Sequence, residues 1–167
     1  MHAPAMDYVF QSFHTWRKDR TNLDILEVGS LDINGSVRPI FTPFQTNYFG
    51  IDMQEGPGVD LVIDAVAFRN EGDYDVVVCA EVFEHTPDWK KIITNSYINL
   101  RPGGLFIATM AGEGRPPHSA IDENPIRDWE HYANIGAWEL NQTLKNIGFQ
   151  QVSVNVLGQD TRCSAVK

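Results

Sequence analysis

The chain has 167 residues, a length that makes one domain over 1–167 the expectation and lets a single core bury roughly two-thirds of the unfolded surface. Thirteen Lys and Arg against twenty-two Asp and Glu leave a net charge of -9, so no diffuse basic field draws the protein onto nucleic acid or an anionic membrane, and neither is an expected direct partner. The 43% apolar content is broken into runs far short of the roughly 18 residues of a membrane span. Residues 1–10 lack the pattern of a secretory signal, and Cys79 and Cys163 have no zinc-ligand spacing, which together point to a cytoplasmic protein with buried thiols and no metal.

The first predicted element is an amphipathic helix in which Met6, Val9, Phe10, Phe13 and Trp16 recur at helical spacing behind Pro4. Strand-like apolar runs follow at 23–28 (LDILEV), 48–51, 59–63 and 74–80, and each stops on a glycine or an acid: Gly29, Asp52, Asp64 and Glu81. Buried parallel strands have this character, apolar along their middles with the polar chemistry at their carboxyl ends. A helix is predicted from an N-cap at Thr86 with Pro87 in its first turn, carrying Trp89, Ile92, Ile93 and Leu100 on one face and stopped by the run Arg101, Pro102, Gly103, Gly104. Residues 105–110 form a fifth strand, 112–117 a loop, and Ala137, Leu140, Leu144 and Ile147 line a last helix closed by Gly148. Runs at 152–156 and 162–166 complete a terminal strand pair. The sum is an α/β fold, doubly wound, with a mostly parallel seven-stranded sheet and helices on both faces. One point strains it: only residues 52–58 separate the second and third strands, whereas a parallel crossover usually takes about ten residues or more. Either that crossover is an extended loop or the third strand lies elsewhere.

After the first strand comes EVGSLDINGS, a glycine-bearing turn feeding a short helix that ends before Pro43. It fails the dinucleotide pattern G-x-G-x-x-G, because Leu31 and Asn34 occupy glycine positions, and it fails the phosphate loop, which needs a Lys. What remains is Glu27 at the end of the first strand, the turn at Gly29, Ser30 and Asn34, and Asp52 at the end of the second strand. An acid about 20 residues beyond such a turn can accept hydrogen bonds from both ribose hydroxyls.

The ordered set LDILEVGS, NYFGID, VDLVIDA, YDVVVCAEVFEH, LRPGGLFIATM and HYANIGAWELNQTLKNIGFQQVSV resembles the class I S-adenosylmethionine-dependent methyltransferases over residues 23–167. The resemblance implies a Rossmann-like fold whose last strand is antiparallel, with S-adenosyl-L-methionine as cofactor and S-adenosyl-L-homocysteine as product. It further implies that Gly29 and Ser30 contact the methionine part, Asp52 holds the ribose, Met53 packs on the adenine, and Asp64 with Ala65 reads the adenine amine edge. In proteins of this look the amino-terminal helix lies over the cofactor cleft. Such a ligand, a sulfonium with an adenosine, needs acceptors for two hydroxyls and an amine, and Asp52, Asp64 and Glu81 are of the right type. An acid after a strand also serves as an Asx turn or a helix cap, and that alternative stands beside each.

Methyl transfer is an in-line displacement that asks the protein to align the nucleophile and, for a hydroxyl, to remove a proton. His85 and His118 are the candidate bases; orienting a helix start and lying solvated in a loop are their respective alternatives. Arg115 is a candidate holder of an anionic or polyhydroxyl acceptor, and Tyr132, in a cluster with Trp129 and His131, a candidate pocket floor. With no inserted domain to recognise a macromolecule, the expected acceptor is a small molecule or a sugar hydroxyl. The rival readings are a protein that binds the cofactor without turnover, a methyltransferase that reaches a macromolecule through a partner, and a nicotinamide oxidoreductase. Oligomeric state is not readable from this pattern.

Overall fold

Side chains of a strand alternate between the two faces of its sheet, and the apolar runs of this chain are continuous enough to furnish both. The computed structural model describes residues 2–44, 46–122 and 124–167. Helix α1 (Ala3–Arg17) leads into β1 (Asp24–Val28), a short α2 (Arg38–Phe41), β2 (Asn47–Asp52), β3 (Leu61–Val62) and β4 (Tyr74–Ala80). Then follow α3 (Trp89–Asn99), β5 (Leu100–Ala111), α4 (Ala137–Ile147), β6 (Gln150–Leu157) and β7 (Asp160–Val166). The strands form one seven-stranded sheet in the order β3-β2-β1-β4-β5-β7-β6. All pairs are parallel except β5 with β7 and β6 with β7, so the expected fold class and its antiparallel terminal pair hold.

Ile25, Val76, Val78, Leu105 and Ile107 point to one face, where they bury Val9 and Phe13 of α1 and Phe41 of α2. Leu26, Val77, Cys79, Phe106 and Ala108 point to the other, under Ile92 and Ile93 of α3 and Leu140 and Leu144 of α4. Both cysteines are buried and free. From β1 the chain steps outward to β2 and β3, then returns across β1 to β4. The connections from β1 and from β4 therefore diverge, leaving a crevice at the carboxyl ends where ligands of such sheets bind.

Five local features differ from the sequence reading. The third helix does not start from a cap at Thr86: Phe83–His85 winds into a 3-10 turn and Thr86 Oγ1 accepts the Asp88 N–H at 3.1 Å, so the helix begins at Trp89. The run at 101–104 does stop the helix, but the strand has already begun at Leu100; a bulge opposite Tyr74 and Val76 absorbs the extra residues. The third strand is two residues long, and the link before it is an extended loop pinned in place by Asp60, whose carboxylate accepts the Gly50 N–H at 2.7 Å and meets Arg38 at 2.6 Å. The irregular stretch after β5 takes in residues 112–122 and 124–136, far beyond 112–117. Phe10 is half exposed rather than in the core, lying against His14.

The turn out of β1 depends on one glycine. Gly29 has φ +76°, and a Cβ there would overlap Cγ2 of Val82, just past β4. Replacing Gly29 by Ala is expected to lower the unfolding free energy by about 2–4 kcal/mol, from the left-handed backbone and the overlap together. Urea denaturation of Gly29→Ala, Val82→Ala and the double variant checks the cause: the double should be less damaged than the sum by about 1 kcal/mol. Strictly additive losses would show that residue 29 does not bear on Val82.

Candidate active site

The crevice at the ends of β1, β2 and β4 encloses about 410 Å³, within the usual range of roughly 300–1,000 Å³ for small-molecule sites. Its lining includes Glu27, Gly29, Ser30, Asn34, Asp52, Met53, Asp64, Ala65, Glu81, His85, Arg115 and His118. Tyr132 is not on the wall itself but packs behind it, with its ring centroid 5.6 Å from that of His85 and 5.1 Å from that of His118. Trp129 and His131, its neighbours in sequence, are exposed and stand outside this group.

On the β1 side, the N–H groups of Gly29 and Ser30 both donate to the Ile51 carbonyl, at 2.9 and 3.1 Å. Their contribution is therefore close approach of backbone rather than free donors. Ser30 is buried, and its hydroxyl faces Gly50, whose ideal Cβ would lie 2.7 Å from Oγ. Asp52 caps β2: Oδ2 accepts the Leu31 N–H at 3.1 Å and Oδ1 the Gln54 N–H at 3.0 Å, which fixes the carboxylate at the cleft rim with lone pairs to spare. Met53 follows with 72% of its surface exposed on the cleft wall. Asp64 accepts the Val66 N–H at 2.8 Å in an Asx turn, which presents Ala65 to the same wall. For both acids the turn role and the position on the cleft coexist.

Across the cleft, Glu81 holds a left-handed backbone with φ 57°, a strained geometry for a residue with a side chain. Its Oε2 and Asp160 Oδ1 both accept from Arg115 Nη1 at 2.8 Å, and Asp160 Oδ2 lies 2.8 Å from His2 Nε2. The guanidinium of Arg115 is thus matched by two carboxylates and ties the loop after β5 to β4 and β7. His2 and Asp160 escaped the sequence reading, since they are 158 residues apart and meet only in the fold.

Glu84 also escaped it, although it sits beside His85. Its side chain is fully buried; Oε1 accepts the Ala111 N–H at 2.9 Å and Oε2 is buried with no partner among the described residues. Burial, and then the neighbouring Glu81 carboxylate, hold the Glu84 carboxyl well above the usual carboxylate range. Burial, and then His118, push His85 down to about 4, so its imidazole is neutral at pH 7. His118 Nδ1 lies 3.2 Å from the Pro116 carbonyl; a carbonyl only accepts, so Nδ1 is the donor of that contact.

A family model described as "Methyltransferase domain" matches residues 7–154. The chain is 31% identical over 109 residues to a sarcosine/dimethylglycine N-methyltransferase of Halorhodospira halochloris, covering 60% of this chain and 38% of that protein. It is 38% identical over 52 residues to a ubiquinone biosynthesis O-methyltransferase of Cupriavidus pinatubonensis, covering 30% and 21%. The matched stretches thus span well under two-thirds of these relatives' own lengths. Among solved structures, 98% of the chain superimposes on 78% of a Burkholderia thailandensis 1,6-didemethyltoxoflavin-N1-methyltransferase with bound 1,6-didemethyltoxoflavin and S-adenosylhomocysteine, with TM-score 0.75 and 15% identity. A methyltransferase of Aquifex aeolicus gives TM-score 0.64 at 14% identity, with 99% of both chains covered. At these identities the structural likeness is one of fold.

Glu27 offers a test of how dry the inner end of the crevice is. It is 3% exposed and accepts the Tyr48 hydroxyl at 2.9 Å, and burial raises its carboxyl from the ordinary 4.5 to about 7. Between those values the folded chain binds the proton that the unfolded chain releases, so Glu27 makes stability fall as pH rises from about 4.5 to 7. Glu27→Gln removes that loss: relative to the parent it should gain up to about 3 kcal/mol at pH 8 and nothing comparable at pH 4. Urea midpoints of the two proteins at both pH values measure the difference, and a gain independent of pH would contradict it.

Proposed function

Since the chain belongs to the methyltransferase-domain family, we propose that its crevice binds S-adenosylmethionine and that its methyl group passes to a hydroxyl of a small molecule or a sugar, leaving S-adenosylhomocysteine. The observation that carries this reading is Asp52, fixed by two backbone N–H groups at the end of β2, beside the glycine turn of β1 at the point where strand order reverses. A carboxylate held there accepts from the two ribose hydroxyls. Met53 gives the adenine an apolar face, and Asp64 with Ala65 lies at its amine edge. Gly29 lets the methionine portion approach the backbone, with Ser30, Asn34 and Glu27 around it. Glu81 lies on the opposite wall, where its charge, shared with Arg115, favours the sulfonium cation.

The acceptor enters from the side of residues 112–136, where His85 and His118 face the crevice with Tyr132 behind them. In-line attack forms the O–CH3 bond as the S–CH3 bond breaks; the electron pair of that bond stays on sulfur and the hydroxyl proton leaves to water. Alignment supplies most of the rate. Arg115, bound by two carboxylates, serves to hold the loop rather than to grip an anion. The acceptor class rests on the small cavity, the net charge of -9, and relatives named for N- and O-methylation of small molecules.

Calorimetric titration with S-adenosylhomocysteine tests the assignment. The parent should bind, and Asp52→Asn should bind at least about tenfold more weakly, since hydrogen bonds to a charged group contribute about 1.5–3 kcal/mol. Equal affinity of the two proteins, or no binding by the parent, would overturn the site map.

A further inference from the structure

The Glu84 carboxyl is fully buried, and one of its oxygens has no partner among the described residues, although buried polar atoms are nearly always paired. Near it the fold gathers two imidazoles. Glu84, His85 and His118 each present a ligand atom within 4.8 Å of the other two, and they are the one such group of His, Cys, Asp and Glu among the described residues. His118 Nδ1 is taken up by the Pro116 carbonyl, the kind of outer hydrogen bond that orients metal-binding histidines, which leaves Nε2 for a ligand. Tyr132 packs edge-on against both imidazoles, which holds the rings upright. His85 and His118 both line the crevice, so a cation between them would face its contents.

We infer that Glu84, His85 and His118 form a binding site for one divalent cation of the zinc class, open on the side of the crevice. Two imidazoles and one carboxylate suit first-row transition metals such as Zn²⁺ or Co²⁺; Mg²⁺ and Ca²⁺ prefer oxygen ligands throughout. Ligands at about 2.1 Å on a tetrahedral ion stand about 3.4 Å apart, so the group closes by an ångström or so. His118, which lies in neither helix nor strand, is the ligand whose shift would close it. Three protein ligands leave a fourth position, as in sites where a metal handles an oxygen of a ligand.

The role of the cation rests on the methyl transfer proposed above; its binding does not. With an acceptor oxygen in the fourth position, the cation favours loss of the hydroxyl proton to water, and the resulting oxygen lone pair attacks the methyl carbon as sulfur takes the electrons of the breaking bond. The two imidazoles then act as ligands and not as proton acceptors.

The test uses the full chain, freed of metal by a chelator and titrated with Co²⁺, whose visible absorption reports coordination, and then with Zn²⁺ in competition. One Co²⁺ per chain, displaced by Zn²⁺, is expected. His118→Ala should weaken binding at least about tenfold, while His131→Ala, an exposed histidine outside the group, should leave it unchanged. Melting temperatures without metal confirm that both variants are folded. No stoichiometric binding by the parent, or binding by His118→Ala as tight as the parent's, overturns the site. S-adenosylhomocysteine titrated into the same samples separates the two readings. Cofactor binding without metal binding removes only the cation site, and metal binding without cofactor binding removes only the cofactor assignment.

Discussion

The polypeptide can leave β1 only where residue 29 lacks a side chain. The left-handed backbone at Gly29 turns the chain sharply enough for both it and Ser30 to donate to the Ile51 carbonyl, which brings the start of the loop against the end of β2. A methyl group at that position would enter Val82, on the far side of the strand-order reversal. One turn therefore keeps β2 and the segment after β4 at the separation that makes the crevice, and the acids at the strand ends follow from it. Asp52 is held by the N–H of Leu31, two residues beyond the turn, and the short loop before β3 folds back on the same stretch through the Asp32 N–H to the Pro57 carbonyl.

The opposite wall is held by charge instead of by close backbone approach. Arg115 draws Glu81 and Asp160 together, and Asp160 also takes His2 at the start of the chain. Four separate segments are thus tied at one edge of the crevice: the start of the chain, the end of β4, the loop after β5 and the start of β7. Farther along that loop, Arg127 joins Ser119 and Asp122, and Ser119 joins Glu130, in a second polar cluster. The division suits an enzyme of this family. On the proposed reading the cofactor lies against sheet and turn and the acceptor against a loop held by side chains, where substitutions would change the pocket without disturbing the sheet.

Much of this was legible in the residues themselves. Apolar runs ending on Gly29, Asp52, Asp64 and Glu81 announce parallel strands with polar carboxyl ends, because strands buried on both faces have no room for charge along their middles. The last helix is marked by its apolar spacing and by Gly148, which takes the left-handed cap. What stayed hidden depends on contacts distant in sequence. The helix start moved from Thr86 to Trp89 because the chain first winds a 3-10 turn that seats Glu84 and His85, and nothing in the order of these residues reveals that turn. The pairing of Arg115 with Asp160 and His2 exists only once β7 lies beside β5. Likewise, a search for cysteine pairs at metal spacing has no access to Glu84, His85 and His118, whose proximity is made by the loop after β5.

The proposed binding of S-adenosylmethionine in the crevice at the ends of β1 and β4 is read from the melting temperature of the chain with that cofactor, with S-adenosylhomocysteine, and with NAD as control. Ligand at a hundred times its dissociation constant adds about 2.7 kcal/mol to the folded state, and each kcal/mol moves the midpoint of a domain this size by roughly 2–4 °C. A rise of several degrees with both sulfur compounds and none with NAD is expected. A flat response to all three, or a rise with NAD alone, would contradict it.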